Sequence, residues 1–281
     1  MLRIIVDGSA DMPEGWPEKY QFNIIPIPIQ IGDQTFYQGV DISSEQFYQL
    51  VENPENQPKT AAPSPSKIKE MIEELCDLGD TVLSINVSGK MSATVSMVKQ
   101  AADELKDKIN VIPFDSDAGS AVLALMAREA RLREAAGDSV EEILEALSKI
   151  KKRVMVVLTL DSLEFAYRSG RVGKLQAALT SFLKIKPIVT LKDGMLNVSD
   201  MVRTRKKSLE RIVKKVSEEY GKEEIKVAIV HSQDQETANI LREMLENVMN
   251  ITETIITELS ISVAANLGPK TVGIVALPDD I

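Results

Sequence analysis

The feature that most limits what this chain can fold into is its rhythm: short β-rich apolar runs take turns with amphipathic stretches. Residues 4–6, 24–31, 82–87 and 110–114 read as strands, and the segments from Ser43, Ser64, Ser92 and Gly119 read as helices. That order predicts a parallel α/β sheet. Pro26 and Pro28 interrupt the second run, and because proline cannot donate to a ladder, this strand is expected at a sheet edge.

Ser139-Val-Glu-Glu142 fits a capping box that opens a helix running to about Lys149, after which residues 153–160 begin a strongly apolar strand. A domain boundary is expected there, giving an N-terminal α/β domain over 1–151 and a C-terminal α/β domain over 152–281. In the second domain strands are predicted at 187–191, 225–230, 251–259 and 271–277, with helices near Lys174, Arg203 and Gln235. The Pro- and Asn-rich stretch over 53–66 sustains neither helix nor strand and reads as a loop insertion. Ordered loops of that length are more often functional than not.

Composition narrows the function. Hydrophobic residues make up 44% of the 281, enough for a sizeable core. The net charge of −9 opposes broad binding of nucleic acid. No apolar run approaches the roughly 20 residues of a membrane span, and the start is too short in apolar residues for a signal peptide, so a cytoplasmic protein without stable membrane insertion is expected. The single cysteine, Cys76, shares helical spacing with Met71, Ile72 and Leu75 and reads as a buried structural thiol.

Familiar enzyme signatures are missing. The one histidine, His231, has no Gly-x-Ser-x-Gly elbow to serve, and it reads as a hydrogen-bonded structural residue at a strand's C-terminal end. A zinc site lacks clustered ligands, so no metal is expected. Asp115 and Asp117 follow a strand and read as helix caps rather than magnesium ligands. Gly268-Pro-Lys-Thr271 superficially resembles the end of a P-loop, but Val263 stands where the first glycine belongs. No cofactor is implied.

What remains is a series of Ser, Thr and Gly clusters at strand ends: Asp7-Gly-Ser9, Thr60 with Ser64, residues 88–94, and Asp115-Ser116. Hydroxyls and backbone N–H groups at helix N-termini suit a small anion such as a carboxylate or phosphate. Taken singly, Ser64 before Pro65 is a good N-cap, and Ser92 could simply start its helix. Their shared position at the C-terminal edge of a parallel sheet, where such folds bind ligands, is what favours a site.

In order along the chain, Val6-Asp-Gly-Ser-Ala-Asp-Met-Pro13, Lys59-Thr-Ala-Ala-Pro-Ser-Pro65, Ser88-Gly-Lys-Met-Ser-Ala-Thr94, Asp115-Ser116 and Ser169-Gly-Arg-Val172 resemble the DegV family of fatty-acid-binding proteins. So do Leu183-Lys-Ile-Lys-Pro-Ile188, Asp193-Gly194, Val202-Arg-Thr204, His231 and Leu267-Gly-Pro269. The resemblance implies a two-domain fold holding one long-chain fatty acid, such as palmitate or oleate, in a buried apolar tunnel. It maps the carboxylate to Thr60 and Ser92, with Thr94, Arg171 and Asn266 alongside. It also implies a partner: an ATP-binding fatty acid kinase subunit that forms the acyl phosphate, faced by Arg203, while this chain is a ligand-binding protein and not itself an enzyme.

Departures from the family pattern fall at Ala61 and Ala93, and at Asn266 and Lys270, where a His-x-Gly-Pro-Gly segment is usual. Losing that histidine removes a titratable group, though Asn266 still donates hydrogen bonds. Lys270 either adds positive charge near the site or lies in solvent. The alternative function is a lipid or small-acid sensor that binds without supporting phosphorylation. An independent enzyme on a kinase-like fold ranks last, since neither a covalent histidine nor a nucleotide loop is present.

Overall fold

Strands with apolar residues on both faces need helices on both sides, and the N-terminal half supplies them. The computed structural model describes residues 1–173 and 185–281. Its residues divide into two units, Met1–Lys151 with Ser260–Ser262, and Lys152–Leu259 with Val263–Ile281.

In the first unit the chain runs β1 (Leu2–Asp7), α1 (Trp16–Lys19), β2 (Phe22–Ile25), β3 (Pro28–Ile31), β4 (Gln34–Tyr37), α2 (Ser44–Val51) and β5 (Lys59–Thr60). It continues through α3 (Pro65–Leu75), β6 (Thr81–Asn86), α4 (Thr94–Leu105), β7 (Asn110–Asp115), α5 (Ala121–Ala136) and α6 (Val140–Arg153). Four strands, ordered β2-β1-β6-β7, form the expected parallel sheet. Ile5 and Val82 on one face pack with Ile68 and Ile72 of α3 and Val98, Ala101 and Leu105 of α4. The first turns of α5 are apolar all round, and residues 121–128 are all buried, as an internal helix requires.

The proline-interrupted run behaves differently from expectation. It is two strands in two sheets: β2 does lie at an edge, but β3 is the centre of a separate three-stranded antiparallel sheet, ordered β4-β3-β5. Pro26 ends one ladder because it has no N–H to give, and Pro28 opens the next at its first position, where that loss is tolerated. The 53–66 loop is likewise not wholly irregular, since Lys59 and Thr60 pair with Gln30 and Ile29.

The second unit contains β8 (Met155–Thr159), α7 (Glu164–Ser169), β9 (Val172–Gly173), β10 (Lys186–Lys192), β11 (Met195–Val202) and α8 (Arg205–Tyr220). Then come β12 (Glu224–His231), α9 (Gln235–Glu246), β13 (Asn250–Glu258), α10 (Ile261–Leu267) and β14 (Val272–Pro278). Its strands form a mixed sheet, ordered β13-β12-β14-β8-β10-β11-β9. Val157, Val272 and Ile274 meet Leu209, Ile212 and Val216 of α8 and Leu241 of α9 on one face. By strand alternation Val156, Leu158, Val230 and Val275 point to the other, and all four are buried. The helix expected near Lys174 lies outside the described residues.

Candidate functional site

Three parallel strands of the first unit end in polar residues, Asp7 on β1, Asn86 on β6 and Asp115 on β7, so the loops that follow them inherit hydrogen-bonding groups. Asp7 is fully buried. Its Oδ1 accepts from Ser9 N at 3.0 Å and from Ser9 Oγ, and its Oδ2 accepts from Val87 N at 2.6 Å. Burial pushes its carboxyl above the ordinary range, against the pull of those donors.

Asp11 is the second buried carboxylate. Ser120 Oγ donates to its Oδ2, and Ser260 N donates to its Oδ1 at 2.6 Å. Desolvation pushes its pKa up to about 7, with these donors and the nearby Asp7 as lesser influences. Close by, Ser262 Oγ donates to the Gly8 carbonyl at 2.7 Å, and Ile261 N to Gln38 Oε1 at 2.6 Å. The sequence reading named Asp7 only within the Asp7-Gly-Ser9 cluster and gave Asp11 no role of its own. The available signal was an acid at the end of an apolar strand, followed by a second acid four residues on.

The β6–α4 turn presents the hydroxyls. Ser92 Oγ accepts from Thr94 N at 3.3 Å and lies 2.9 Å from Thr94 Oγ1. The N-cap of α4 is Ala93, so Ser92 does not start the helix but sits one residue ahead of that cap. Ser92 is half-buried and Thr94 fully buried. Two adjoining hydroxyls at the start of a helix can donate to an oxyanion, and the helix dipole favours the negative charge. Thr60 sits on β5 in the other sheet of this unit, half-buried and opposite Ile29.

Two expectations for this unit need correction. Asp115 does not cap a helix: its Oδ1 accepts from Asp117 N at 2.9 Å, its Oδ2 accepts from Gly89 N at 3.2 Å, and the N-cap position of α5 is Ser120. Asp117 pairs with Lys151 at 2.7 Å. The Cys76 thiol is half-buried rather than buried, ending α3, and burial pushes its pKa up.

The second unit carries the remaining expected residues. Arg171 follows Gly170, the left-handed cap of α7; its N donates to Ser169 Oγ at 3.2 Å and its Nη1 donates to the Ser169 carbonyl. Asn266 is half-buried in the last turn of α10. The turn after it packs against α7. At Gly268 (φ +86°) a Cβ would fall 2.8 Å from Phe165 Cδ2, so glycine is required there by conformation and by space. α7 and residues 266–270 are therefore neighbours within this unit.

Arg203 is exposed, just ahead of Thr204, the N-cap of α8. Its neighbour Arg205 is half-buried and donates to Asp234 Oδ2 at 2.7 Å and to the Lys270 carbonyl at 2.8 Å, while Lys206 and Lys207 are exposed. Lys270 itself is exposed and left-handed, at φ +56°. His231 Nε2 is 2.8 Å from Gln235 Oε1, and its Nδ1 accepts from Asp234 N at 3.4 Å, a histidine engaged in local structure.

Among the described residues no group of three His, Cys, Asp or Glu could hold a metal ion, and no helix is long and apolar enough to cross a membrane.

Comparison with known proteins agrees along the whole length. Protein DegV of Bacillus subtilis is 30% identical over 246 residues, covering 86% of this chain and 87% of that one. The structure of that DegV, described as a fatty acid binding protein, matches with a TM-score of 0.85 at 26% identity over 99% of both chains. A DegV family protein from Thermus thermophilus, described by its fatty acid binding, matches at 0.88 and 26% identity, again over 99% of both. A family model described as "Uncharacterised protein, DegV family" covers residues 1–279, and the chain belongs to the DegV family.

Proposed function

We propose that this protein binds one long-chain fatty acid in a buried apolar tunnel and presents its carboxylate to a separate ATP-binding kinase subunit, which forms the acyl phosphate. The observation that carries the binding half is the likeness, over 99% of the chain, to two DegV proteins described as binding fatty acids. Thr60, Ser92 and Thr94 are the proposed carboxylate contacts, with Arg171 and Asn266 supplying further donors and Arg203 meeting the partner or the transferred phosphate.

The physical chemistry suits such a ligand. A carboxylate out of bulk water needs several donors, and the adjoining Ser92 and Thr94 hydroxyls support such a contact. Burying about 14 methylenes at ~0.8 kcal/mol each contributes roughly 11 kcal/mol before ordering costs, so the tail dominates affinity and the head group fixes orientation. A second reading, a lipid sensor that docks another protein without phosphorylation, is favoured by Asn266 standing where the family pattern has a titratable histidine.

Mass spectrometry on protein purified without added lipid tests the binding half. Wild type should carry about one fatty acid per chain, and Thr60→Ala/Ser92→Ala should carry much less. Absence of bound lipid, together with no uptake of offered palmitate or oleate, would sink the fatty-acid reading.

A further inference from the structure

The turn that carries Ser92 is braced from outside. Within it, the Ser88 carbonyl accepts from Met91 N at 2.9 Å and Ser92 N at 3.0 Å. Two bonds then tie it to the loop after β7: Ser88 N donates to the Ala118 carbonyl at 2.8 Å, and Gly89 N donates to Asp115 Oδ2 at 3.2 Å. The other oxygen of Asp115 accepts from Asp117 N at 2.9 Å, so one carboxylate shapes both loops. Lys151 holds that carboxylate's own backbone, its Nζ donating to the Asp115 carbonyl at 3.0 Å.

The approach is tight, and a side chain at position 89 would have to push the Asp115 carboxylate aside. A Cβ at position 89 would stand 3.0 Å from Asp115 Oδ2 and 3.2 Å from Val95 Cγ1, the latter in the first turn of α4. The Asp117 backbone, at φ +49°, is in a left-handed conformation that costs free energy and persists because its surroundings hold it.

We infer that Asp115 is a positioning residue for the ligand head group, setting through Gly89 where the Ser92 hydroxyl points. The inference rests on the proposed role of Ser92 as a carboxylate contact. Both Asp115 oxygens accept, so Asp115→Asn keeps the shape but turns an N–H₂ toward one of two N–H donors. Gly89→Ala opens the same contact from the other side.

Palmitate and hexadecanol share a tail, and only palmitate carries a carboxylate. With the full-length chain, Asp115→Asn and Gly89→Ala should each weaken palmitate by about tenfold, the scale of one hydrogen bond to a charged group, and leave hexadecanol within about twofold. Added to Ser92→Ala, Asp115→Asn should cost nothing more, because the two act on one contact. Equal loss of both ligands, or full additivity with Ser92→Ala, overturns the inference.

Amide exchange on ligand-free protein gives a second readout. Met91 and Ser92 should exchange faster in Asp115→Asn while the α5 amides keep wild-type rates, and unchanged rates at Met91 and Ser92 overturn the inference whatever the lipid result. Should wild type take up neither ligand, the proposed function fails, and the exchange rates still decide the role of Asp115.

Discussion

Asp11 shows how much a single side chain can carry. Its carboxylate joins three stretches of chain, through donors at Ser120 and Ser260, the latter 249 positions away. Asp7 is the charged group that faces it. With its pKa pushed up to about 7 from 3.8, the folded state keeps a proton that the unfolded chain releases between those values. Its contribution to stability is therefore full below pH 3.8 and is lost as the pH rises through about 7, by roughly 4 kcal/mol at most. Asn at position 11 can accept from one donor and give to the Ser120 hydroxyl, so Asp11→Asn should flatten the fall in stability between about pH 4 and 7. Denaturant titrations at several pH values check this, and an unaltered slope would assign the effect to other groups. No local pattern could have announced a network of this reach: sequence reading sees periods and caps, and the donors to Asp11 share neither with it.

Elements were more legible than contacts. The Ser139–Glu142 capping box is present, with Ser139 N donating to Glu142 Oε2 at 2.8 Å and Glu142 N to Ser139 Oγ at 3.3 Å, and Ser64 caps α3 with Pro65 in its first turn. Apolar runs gave β1, β6, β8, β10, β12 and β14 because burial on both faces leaves an unmistakable hydrophobic string. β4 and β11 escaped notice because Gln34, Thr35, Asn197 and Asp200 dilute that signal in strands with exposed or half-buried positions. The turn before β14 gives a paired test at this scale. Gly268→Ala should cost about 2 kcal/mol or more, since it adds left-handed strain to a collision with Phe165. Lys270→Gly, two residues on at φ +56°, should instead stabilise by about 0.5–1 kcal/mol, because a left-handed lysine costs more than a glycine's extra freedom in the unfolded chain. Thermal melts of the two variants decide it, and shifts of the same sign would show that strain does not govern this turn.

At the scale of the whole molecule, charge is arranged against the average. The chain carries −9, yet Arg203, Lys206 and Lys207 stand exposed within five residues at the start of α8. Like charge at a helix N-terminus is unfavourable, so these cations cost α8 stability unless a negative surface meets them. On the proposed function that surface belongs to the kinase subunit, and Arg203→Ala should abolish acyl phosphate formation in the presence of that subunit and ATP while fatty acid affinity stays nearly intact. Activity persisting in that variant would remove Arg203 from the interface. The candidate hydroxyls were legible only as one of several clusters at strand ends, since Ser, Thr and Gly at such positions serve as caps as often as ligands; their assignment came from the order of motifs along the chain.

The short segment Ser260–Ser262 belongs with the first unit although the chain on either side of it belongs with the second. A gene fragment stopping at Lys151 would thus code for a piece lacking the Ser260 amide that donates to Asp11, along with the Ser262 hydroxyl bonded to Gly8. Such a piece would start life with a buried acid short of one of its two donors. Shuffling these halves as independent cassettes at that boundary would separate the donors from the groups they serve.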